Sequence, residues 1–120
     1  MNPVIVVEGR DDTRRLREIY PDIETIETNG SAIDEETIAL IQKALQTREV
    51  IVFTDPDYPG TRIRNIIQEH VPGVSMPLSN EEKPSEKTII RALEWNTLVP
   101  NRFSEHLNQC MRFQQNPESQ

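Results

Sequence analysis

Three carboxylates stand at the ends of two strongly apolar segments, where they could act together in catalysis or metal binding. Glu8 follows the run VIVV at 4–7, and Asp55 and Asp57 follow the run VIVF at 50–53, within the stretch FTDPDYPG. Converging carboxylates repel one another, so they need a cation, a shared proton or solvent. Mg²⁺ is the natural partner, because it commonly takes one or two carboxylates and also binds substrate phosphate oxygens.

Phosphate chemistry is the activity that such a site would support. Bound Mg²⁺ can polarise a phosphoryl oxygen, lower the pKa of a bound water and stabilise the leaving oxygen. Glu8 could instead serve as a general acid or base. Arg10 and Arg62 follow the acids closely in sequence and could clamp a phosphate bidentately. The TNGS stretch offers a further phosphate contact through Asn29, Gly30 and Ser31, since a glycine turn allows close approach.

Each of these features also has a purely structural interpretation. Asp-x-Asp before Pro59-Gly60 could simply favour a turn, because these residue types are typical of turns. From the acidic pair alone, a turn and a metal site have about even odds. On either interpretation Pro59 and Gly60 aim the acids, and Gly9 is a structural residue beside Glu8. The pair at 11–12 is typical of a helix cap. Three other residues of reactive types are interpreted as structural or exposed: His70, His106 and Cys110.

Alternating short strands and helices must position these residues. The patterns predict strands over 4–7, 23–28, 50–53 and 74–78, the last at an edge because it contains Pro77. Helices are predicted after Asp11 or Asp12, from Asp34 to about Thr47, over 61–70, and over a C-terminal extension of about 84–113. This order predicts an α/β fold, with a mostly parallel sheet of about four strands flanked by helices. If 4–7 and 50–53 are neighbours, the three carboxylates meet at one end of the sheet.

Length and composition set outer bounds on these predictions. The 120 residues suit a single domain over 1–120, and one cysteine excludes an intrachain disulfide. We expect a reducing cytoplasm, because there is no signal-peptide pattern and no apolar segment of membrane-spanning length. The net charge of −7 argues against a passive nucleic-acid binder. The arginines are clustered, however, so a locally basic face remains compatible with the sequence.

Three stretches in order, VIVVEGRDD, TIETNGSAI and VIVFTDPDYPG, resemble a Toprim domain. Toprim domains are the magnesium-binding modules of topoisomerases, primases and some nucleases, with a glutamate after the first strand and a DxD motif after a later one. The resemblance covers about residues 3–77 and assigns Glu8, Asp55 and Asp57 as the acids. It is closest to the Toprim part of the ribonuclease M-five type, which matures 5S ribosomal RNA.

The resemblance implies a Mg²⁺-dependent protein, with Mn²⁺ as a possible substitute, that hydrolyses phosphodiester bonds in nucleic acid, RNA rather than DNA. The stretch at 78–96 lacks the Gly-Val-Glu-His-like motif of the maturases, and we therefore expect a free-standing small Toprim protein. A protein or ribonucleoprotein partner, or an oligomer, could complete its surface.

Two alternatives differ in kind from a nuclease. The first is a non-catalytic metal- or nucleic-acid-binding module that needs a partner, which the net charge of −7 favours. The second is a receiver-like phosphoacceptor, with Asp11 and Asp12 as the metal site and Asp55 as the acceptor. Receivers also use a lysine after a final strand, and Lys83 and Lys87 sit in a polar loop or helix start.

Overall fold

Three parallel strands form the centre of the protein, which we describe from a computed structural model. The described residues are 3–30, 33–55, 57–75 and 89. The strands are β1 (Val4–Val7), β2 (Glu24–Glu27) and β3 (Val50–Val52). Their order in the sheet is β2-β1-β3, and β1 pairs with both neighbours in parallel. All three strands therefore end at the same edge. The sequence left the adjacency of the two most apolar strands open, and the structure shows that β1 and β3 are neighbours.

Helices alternate with the strands along the chain, as the sequence predicts for this α/β fold. They are α1 (Arg10–Ile19), α2 (Glu35–Leu45) and α3 (Tyr58–His70). The alternating side chains of β1 enter two separate cores, because successive residues of a strand point to opposite faces. Ile5 and Val7 pack with Leu16 of α1. Val4 and Val6 pack with Ile41 of α2 and with two isoleucines of α3, Ile63 and Ile67. The sheet is thus covered on both faces.

The start of α1 differs from the sequence prediction. Its N-cap is Gly9, in an extended conformation, so neither Asp11 nor Asp12 is the cap. The side chain of Asp12 instead accepts a hydrogen bond from the Gly9 N–H at 3.2 Å. The third residue of a helix can reach back in this way to the cap backbone. The helix consequently begins two residues after Glu8 and fixes the direction in which the chain leaves β1.

The start of α3 also differs, because the helix begins at Tyr58 rather than at about residue 61. Asp57 is its N-cap and accepts a hydrogen bond from the Gly60 N–H at 2.7 Å. Pro59 lies in the first turn, where a missing N–H costs nothing because that group has no partner within the helix. Pro59 and Gly60 therefore belong to the helix and do not form a separate turn before it. The N-cap of α2 is Asp34, as predicted, and the helix ends at Leu45.

Beyond β3 the sheet continues through one residue. Ser75 forms a parallel bridge with Ile51, its N–H donating to the Val50 carbonyl at 2.8 Å and its carbonyl accepting from the Val52 N–H at 2.9 Å. The rest of the predicted fourth strand, over 76–78, lies outside the described residues. So does the predicted C-terminal helical extension, apart from Ile89, which is fully buried in the core on the α1 face. Among the described residues no helix is both long and apolar enough to cross a membrane.

Candidate metal centre

Glu8 and Asp55 come into direct contact at the carboxyl edge of the sheet. Glu8 follows β1 and Asp55 follows β3, and these strands are hydrogen-bonded neighbours. The Oε1 atom of Glu8 accepts a hydrogen bond from the backbone N–H of Asp55 at 2.6 Å, although the two residues are 47 positions apart. A carboxylate that accepts from a backbone N–H is stabilised in its charged form. This bond fixes the first acidic motif against the second.

Asp57 is held by the first turn of α3. Its Oδ1 atom caps the helix at Gly60, and the residue as a whole is exposed. We refer to Glu8, Asp55 and Asp57 as the three-acid cluster. Within the described ranges, no three His, Cys, Asp or Glu side chains lie close enough together to hold one metal ion. The structure therefore brings Glu8 and Asp55 together and leaves Asp57 beside them as a helix cap.

Arg64 lies beneath the three-acid cluster and was not among the residues singled out from the sequence. It is only 3 % exposed. Its Nε atom donates to Thr54 Oγ1 at 2.9 Å, and its Nη2 atom donates to the Thr54 carbonyl. The position falls on the inward stripe of α3, between Gly60 and Ile67, which is the signal in the sequence that could have identified it.

Burial sets the charge behaviour of Arg64. Loss of hydration lowers the pKa of its guanidinium, while the negative charges of Glu8, Asp55 and Asp57 act to raise that pKa. Arginine nevertheless remains protonated in proteins. Its positive charge therefore offsets one of the three carboxylates and leaves two net negative charges at this edge of the sheet. That balance, with carboxylate oxygens as the donors, fits a hard divalent cation such as Mg²⁺.

Gly60 sets how closely α3 approaches Asp55. A Cβ atom at position 60 would lie 2.0 Å from the Asp55 carbonyl oxygen and 2.9 Å from Asp57 Oδ1. Any other residue here would push the first turn of α3 away from the strand end. The Gly60 carbonyl also accepts a hydrogen bond from Thr54 Oγ1 at 3.0 Å, and Thr54 is itself fully buried. Gly60, Thr54 and Arg64 thus form the floor of the three-acid cluster.

The loop after β2 contacts the backbone of Glu8. The Asn29 N–H donates to the Glu8 carbonyl at 2.9 Å, and the Thr28 N–H donates to the Val7 carbonyl at 3.0 Å. Asn29 and Gly30 have φ values of 58° and 115°, and glycine adopts such positive φ without the strain other residues incur. Both residues are exposed beside Glu8, while Ser31 lies outside the described residues. The strand ends of β1 and β2 are therefore joined at Glu8.

The two candidate phosphate-binding arginines lie on different helices. Arg10 is the first residue of α1 and lines a groove of about 410 Å³ with Arg14 and Arg17. Arg14 is also paired with Asp11 at 3.0 Å, an exposed contact. Arg62 is exposed on α3 and lines a second groove of about 320 Å³ with Tyr58. Each arginine thus belongs to a helix that begins immediately after a motif of the three-acid cluster.

Comparison with known proteins adds a family and named relatives. The family described as "Toprim domain" matches residues 3–92. Ribonuclease M5 of Staphylococcus aureus is 53% identical over 87 residues, which is 72% of this chain and 48% of that protein. Ribonuclease M5 of Bacillus subtilis is 59% identical over 70 residues, covering 58% of this chain and 37% of that protein. Ribonuclease M5 of Streptococcus pneumoniae is 48% identical over 95 residues, covering 78% and 50%. The chain spans about half or less of the length of these relatives.

Proposed function

The chain belongs to the Toprim domain family, and on that premise we propose that it hydrolyses phosphodiester bonds in RNA with the help of Mg²⁺. One observation supports the proposal: the Glu8 carboxylate is hydrogen-bonded to the Asp55 backbone, so the two acidic motifs meet at one edge of the sheet. RNA is favoured over DNA because the relatives with 46% to 59% identity are named ribonucleases.

Glu8 and Asp55 would hold the ion, and Asp57, whose carboxylate caps α3, would add its negative charge beside them. When bound, the ion would polarise a phosphoryl oxygen and lower the pKa of a water, and Mn²⁺ could take its place. The carboxylates would neutralise the ion, and Glu8 could instead accept a proton as a general base. Arg64 leaves the site with two net negative charges, which one divalent cation would neutralise. Gly9 is the N-cap of the helix that follows Glu8.

Phosphate contacts would come from both sides of the three-acid cluster. Arg10 and Arg62 are exposed on the helices that follow the two motifs, and guanidinium groups bind phosphate bidentately. Asn29, Gly30 and Ser31 stay candidate phosphate contacts, although the Asn29 N–H itself is bonded to the Glu8 carbonyl. An RNA substrate and a single cysteine, Cys110, both fit the reducing cytoplasm.

Glu8→Gln gives the sharpest test of the metal site. The glutamine carbonyl can still accept the hydrogen bond from the Asp55 N–H, so the local structure is retained while one negative charge is lost. We expect Mg²⁺ affinity, measured by calorimetry, to fall at least about ten-fold. We expect cleavage of a labelled structured RNA to be lost as well. Glu8→Ala removes the hydrogen bond too and should also lower the thermal midpoint.

Glu36→Gln is the matched control, because Glu36 is an exposed acid in the first turn of α2. Its Mg²⁺ affinity and cleavage rate should equal those of the unaltered protein. The proposal is rejected if Glu8→Gln and Asp55→Asn both cleave RNA at the unaltered rate, or if cleavage continues unchanged in EDTA.

A non-catalytic binding module is the second candidate function, and the net charge of −7 favours it. Tight RNA binding draws on many phosphate contacts from lysine and arginine, which this chain would then receive from a protein or ribonucleoprotein partner. In that case Mg²⁺ would bind at the three-acid cluster, cleavage would be absent, and a pull-down from cells would recover a protein or ribonucleoprotein partner that completes the surface. The family match favours both candidates over the receiver-like alternative.

A further inference from the structure

A groove between α1 and β2 lies beside the three-acid cluster and combines charges of both signs. Its volume is about 410 Å³, and it is open to solvent. The described residues that line it come from both elements: Arg10, Thr13, Arg14, Arg17 and Glu18 of α1, and Glu27 of β2. We refer to it as the α1–β2 groove. An open groove of this kind can receive a chain that lies along the surface.

Hydrogen bonds connect both walls of the α1–β2 groove to the backbone around Glu8. On the α1 side, the Thr13 N–H donates to the carbonyl of Gly9, the residue after Glu8, at 3.4 Å. On the β2 side, Glu27 is followed by Thr28, whose hydroxyl donates to the Glu8 carbonyl at 3.5 Å. The groove therefore adjoins the segment of chain that carries the first acid of the cluster.

Glu27 is held on the α1 face of the sheet by a chain of hydroxyl groups. It is in register with Val7, which packs in the core on that face, and registered residues of neighbouring parallel strands point to the same side. The Oε2 atom of Glu27 accepts a hydrogen bond from the Thr13 hydroxyl at 2.8 Å. Because that proton goes to Glu27, the Thr25 hydroxyl donates to Thr13, at 2.9 Å. Thr13 is only 5 % exposed, so it fixes the carboxylate from the core side.

Three exposed arginines form a positive stripe along the same groove. Arg10, Arg14 and Arg17 are spaced by four and three residues, so they share one face of α1. Arg14 pairs with Asp11, but their side chains are 70 % and 84 % exposed, and such a pair contributes little stability and is readily exchanged. Arg17 donates to the Ile23 carbonyl through Nε at 3.2 Å, which uses one of its several N–H donors. The helix carries four arginines and three acids, whereas the whole chain has a net charge of −7.

This lining fits the ribose–phosphate backbone of RNA. Guanidinium groups bind phosphate oxygens, whereas the Glu27 carboxylate would repel them and instead requires a neutral donor. Among the described residues, no lysine or arginine forms an ion pair with Glu27. The ribose 2′-hydroxyl is a donor that RNA has and DNA lacks. A carboxylate has several lone-pair positions, so Glu27 can accept from a hydroxyl and keep its bond from Thr13.

We propose that the α1–β2 groove binds the backbone of the RNA, with Arg10 and Arg14 on phosphates and Glu27 accepting a hydrogen bond from a 2′-hydroxyl. The proposal rests on the proposed function in taking RNA as the ligand. Glu27 thereby distinguishes RNA from DNA beside the three-acid cluster, and Thr13 is the positioning residue that holds it. This recognition does not depend on base sequence, because every nucleotide of RNA carries the same ribose and phosphate.

A scan of single 2′-deoxy nucleotides through a hairpin RNA tests the contact from the side of the ligand. Binding is measured by fluorescence anisotropy with Ca²⁺ in place of Mg²⁺, so the readout does not require cleavage. A hydrogen bond to a charged group corresponds to about a 10- to 150-fold change in affinity. We expect the unaltered protein to bind at least one of the substituted RNAs more weakly by about this factor, which we call the deoxy penalty.

Variants then locate the acceptor of the 2′-hydroxyl. Glu27→Ala should show no deoxy penalty, because the acceptor is missing from every complex. Glu27→Gln keeps an acceptor but loses the charge, and its deoxy penalty should fall to about 2- to 12-fold. Glu36→Gln on α2 is the matched control and should keep the full penalty. Arg14→Ala should weaken binding of all the RNAs by one common factor and reduce the slope of log affinity against log salt by about one.

The proposal is overturned if no 2′-deoxy substitution weakens binding, or if the deoxy penalty is the same in Glu27→Ala and the unaltered protein. A full penalty in Glu27→Gln overturns it too, which keeps the test decisive if Glu27→Ala does not fold. An unchanged salt slope in Arg14→Ala overturns the assignment of phosphates to the groove. The hydrolase function fails separately, because unaltered cleavage by Glu8→Gln and Asp55→Asn rejects it without changing the deoxy penalty.

Discussion

Replacing Arg64 should make the stability of the protein depend strongly on Mg²⁺. Arg64 is 3 % exposed and donates to both the hydroxyl and the carbonyl of Thr54. Arg64→Met keeps much of the side-chain volume but removes both hydrogen bonds and the positive charge. Leaving the buried hydroxyl and carbonyl of Thr54 without these donors costs about 1–3 kcal/mol. We therefore expect a loss of about this size in the free energy of unfolding when metal is absent.

Mg²⁺ should recover part of that loss. The three-acid cluster would carry three net negative charges in Arg64→Met instead of two. At a separation of about 5 Å in a water-like dielectric, removing one positive charge near a divalent ion strengthens its binding by about 1.7 kcal/mol, which is about 10- to 20-fold. A tighter ligand stabilises the folded state more at the same concentration. The difference between the variant and the unaltered protein should consequently be smaller in Mg²⁺ than in EDTA.

Urea unfolding in EDTA and in saturating Mg²⁺ measures how much stability Arg64→Met loses in each buffer. Calorimetry measures the Mg²⁺ affinity directly. Arg62→Met is the control, since Arg62 is exposed on the same helix and its loss should change stability by less than about 0.5 kcal/mol. An equal loss of stability for Arg64→Met in both buffers, with unchanged Mg²⁺ affinity, would refute the idea that Arg64 balances the charge of the acids.

Two further predictions concern the helix starts. Gly60→Ala should lower the free energy of unfolding by about 1–3 kcal/mol and weaken Mg²⁺ binding, because the added Cβ meets the Asp55 carbonyl. Gly9→Ala should cost less than about 1 kcal/mol, because nothing lies within 4 Å of the added Cβ. Equal urea midpoints for the two variants would contradict this prediction. Hydrogen bonds from the Thr37 side chain and from the Thr37 N–H lower the pKa of the Asp34 carboxyl below the ordinary 3.8. The capping contribution of Asp34 is therefore present above that pH and is lost as the pH falls through the lowered pKa. Asp34→Ala should therefore lower the thermal midpoint at pH 7, with a gap that narrows in acid, and Asp34→Asn should cap at either pH; a gap for Asp34→Ala that stays constant down to pH 2 would contradict the assignment.

The sequence predicted best the features that depend only on the burial of the strands and on their parallel direction in the sheet. The β-branched runs before Glu8 and Asp55 predict strands buried on both faces, and parallel strands place the residues after their carboxyl ends at a common edge. The contact between Glu8 and Asp55 results from those two properties together. The metal role of these acids and of Asp57 stays a prediction, as do the phosphate roles of Arg10 and Arg62.

The features that sequence did not predict depend on side chains whose partners are distant or unusual. Arg64 occupies an inward position of α3, but a charged residue is predicted to be exposed unless its hydrogen-bond acceptors are known. Those acceptors are the carbonyl and the hydroxyl of Thr54. The early start of α3 was missed because Pro59 and Gly60 favour turns as strongly as they favour a first helical turn. Gly9 was missed as a cap because an aspartate two or three residues later is the stronger capping type.

Glu8 accepts hydrogen bonds from two amides that lie far apart in the chain, one through its side chain from Asp55 and one through its carbonyl from Asn29. These amides give the site a built-in spectroscopic readout. In an NMR spectrum the Asp55 amide proton, bonded to a carboxylate at 2.6 Å, should resonate well downfield and shift when that carboxylate is protonated or binds an ion. The resonance of the Asn29 amide proton should instead shift when the Glu8 backbone moves, because this amide donates to the Glu8 carbonyl. Comparing the two signals during one titration would separate a change of charge on Glu8 from a movement of the strand end that carries it.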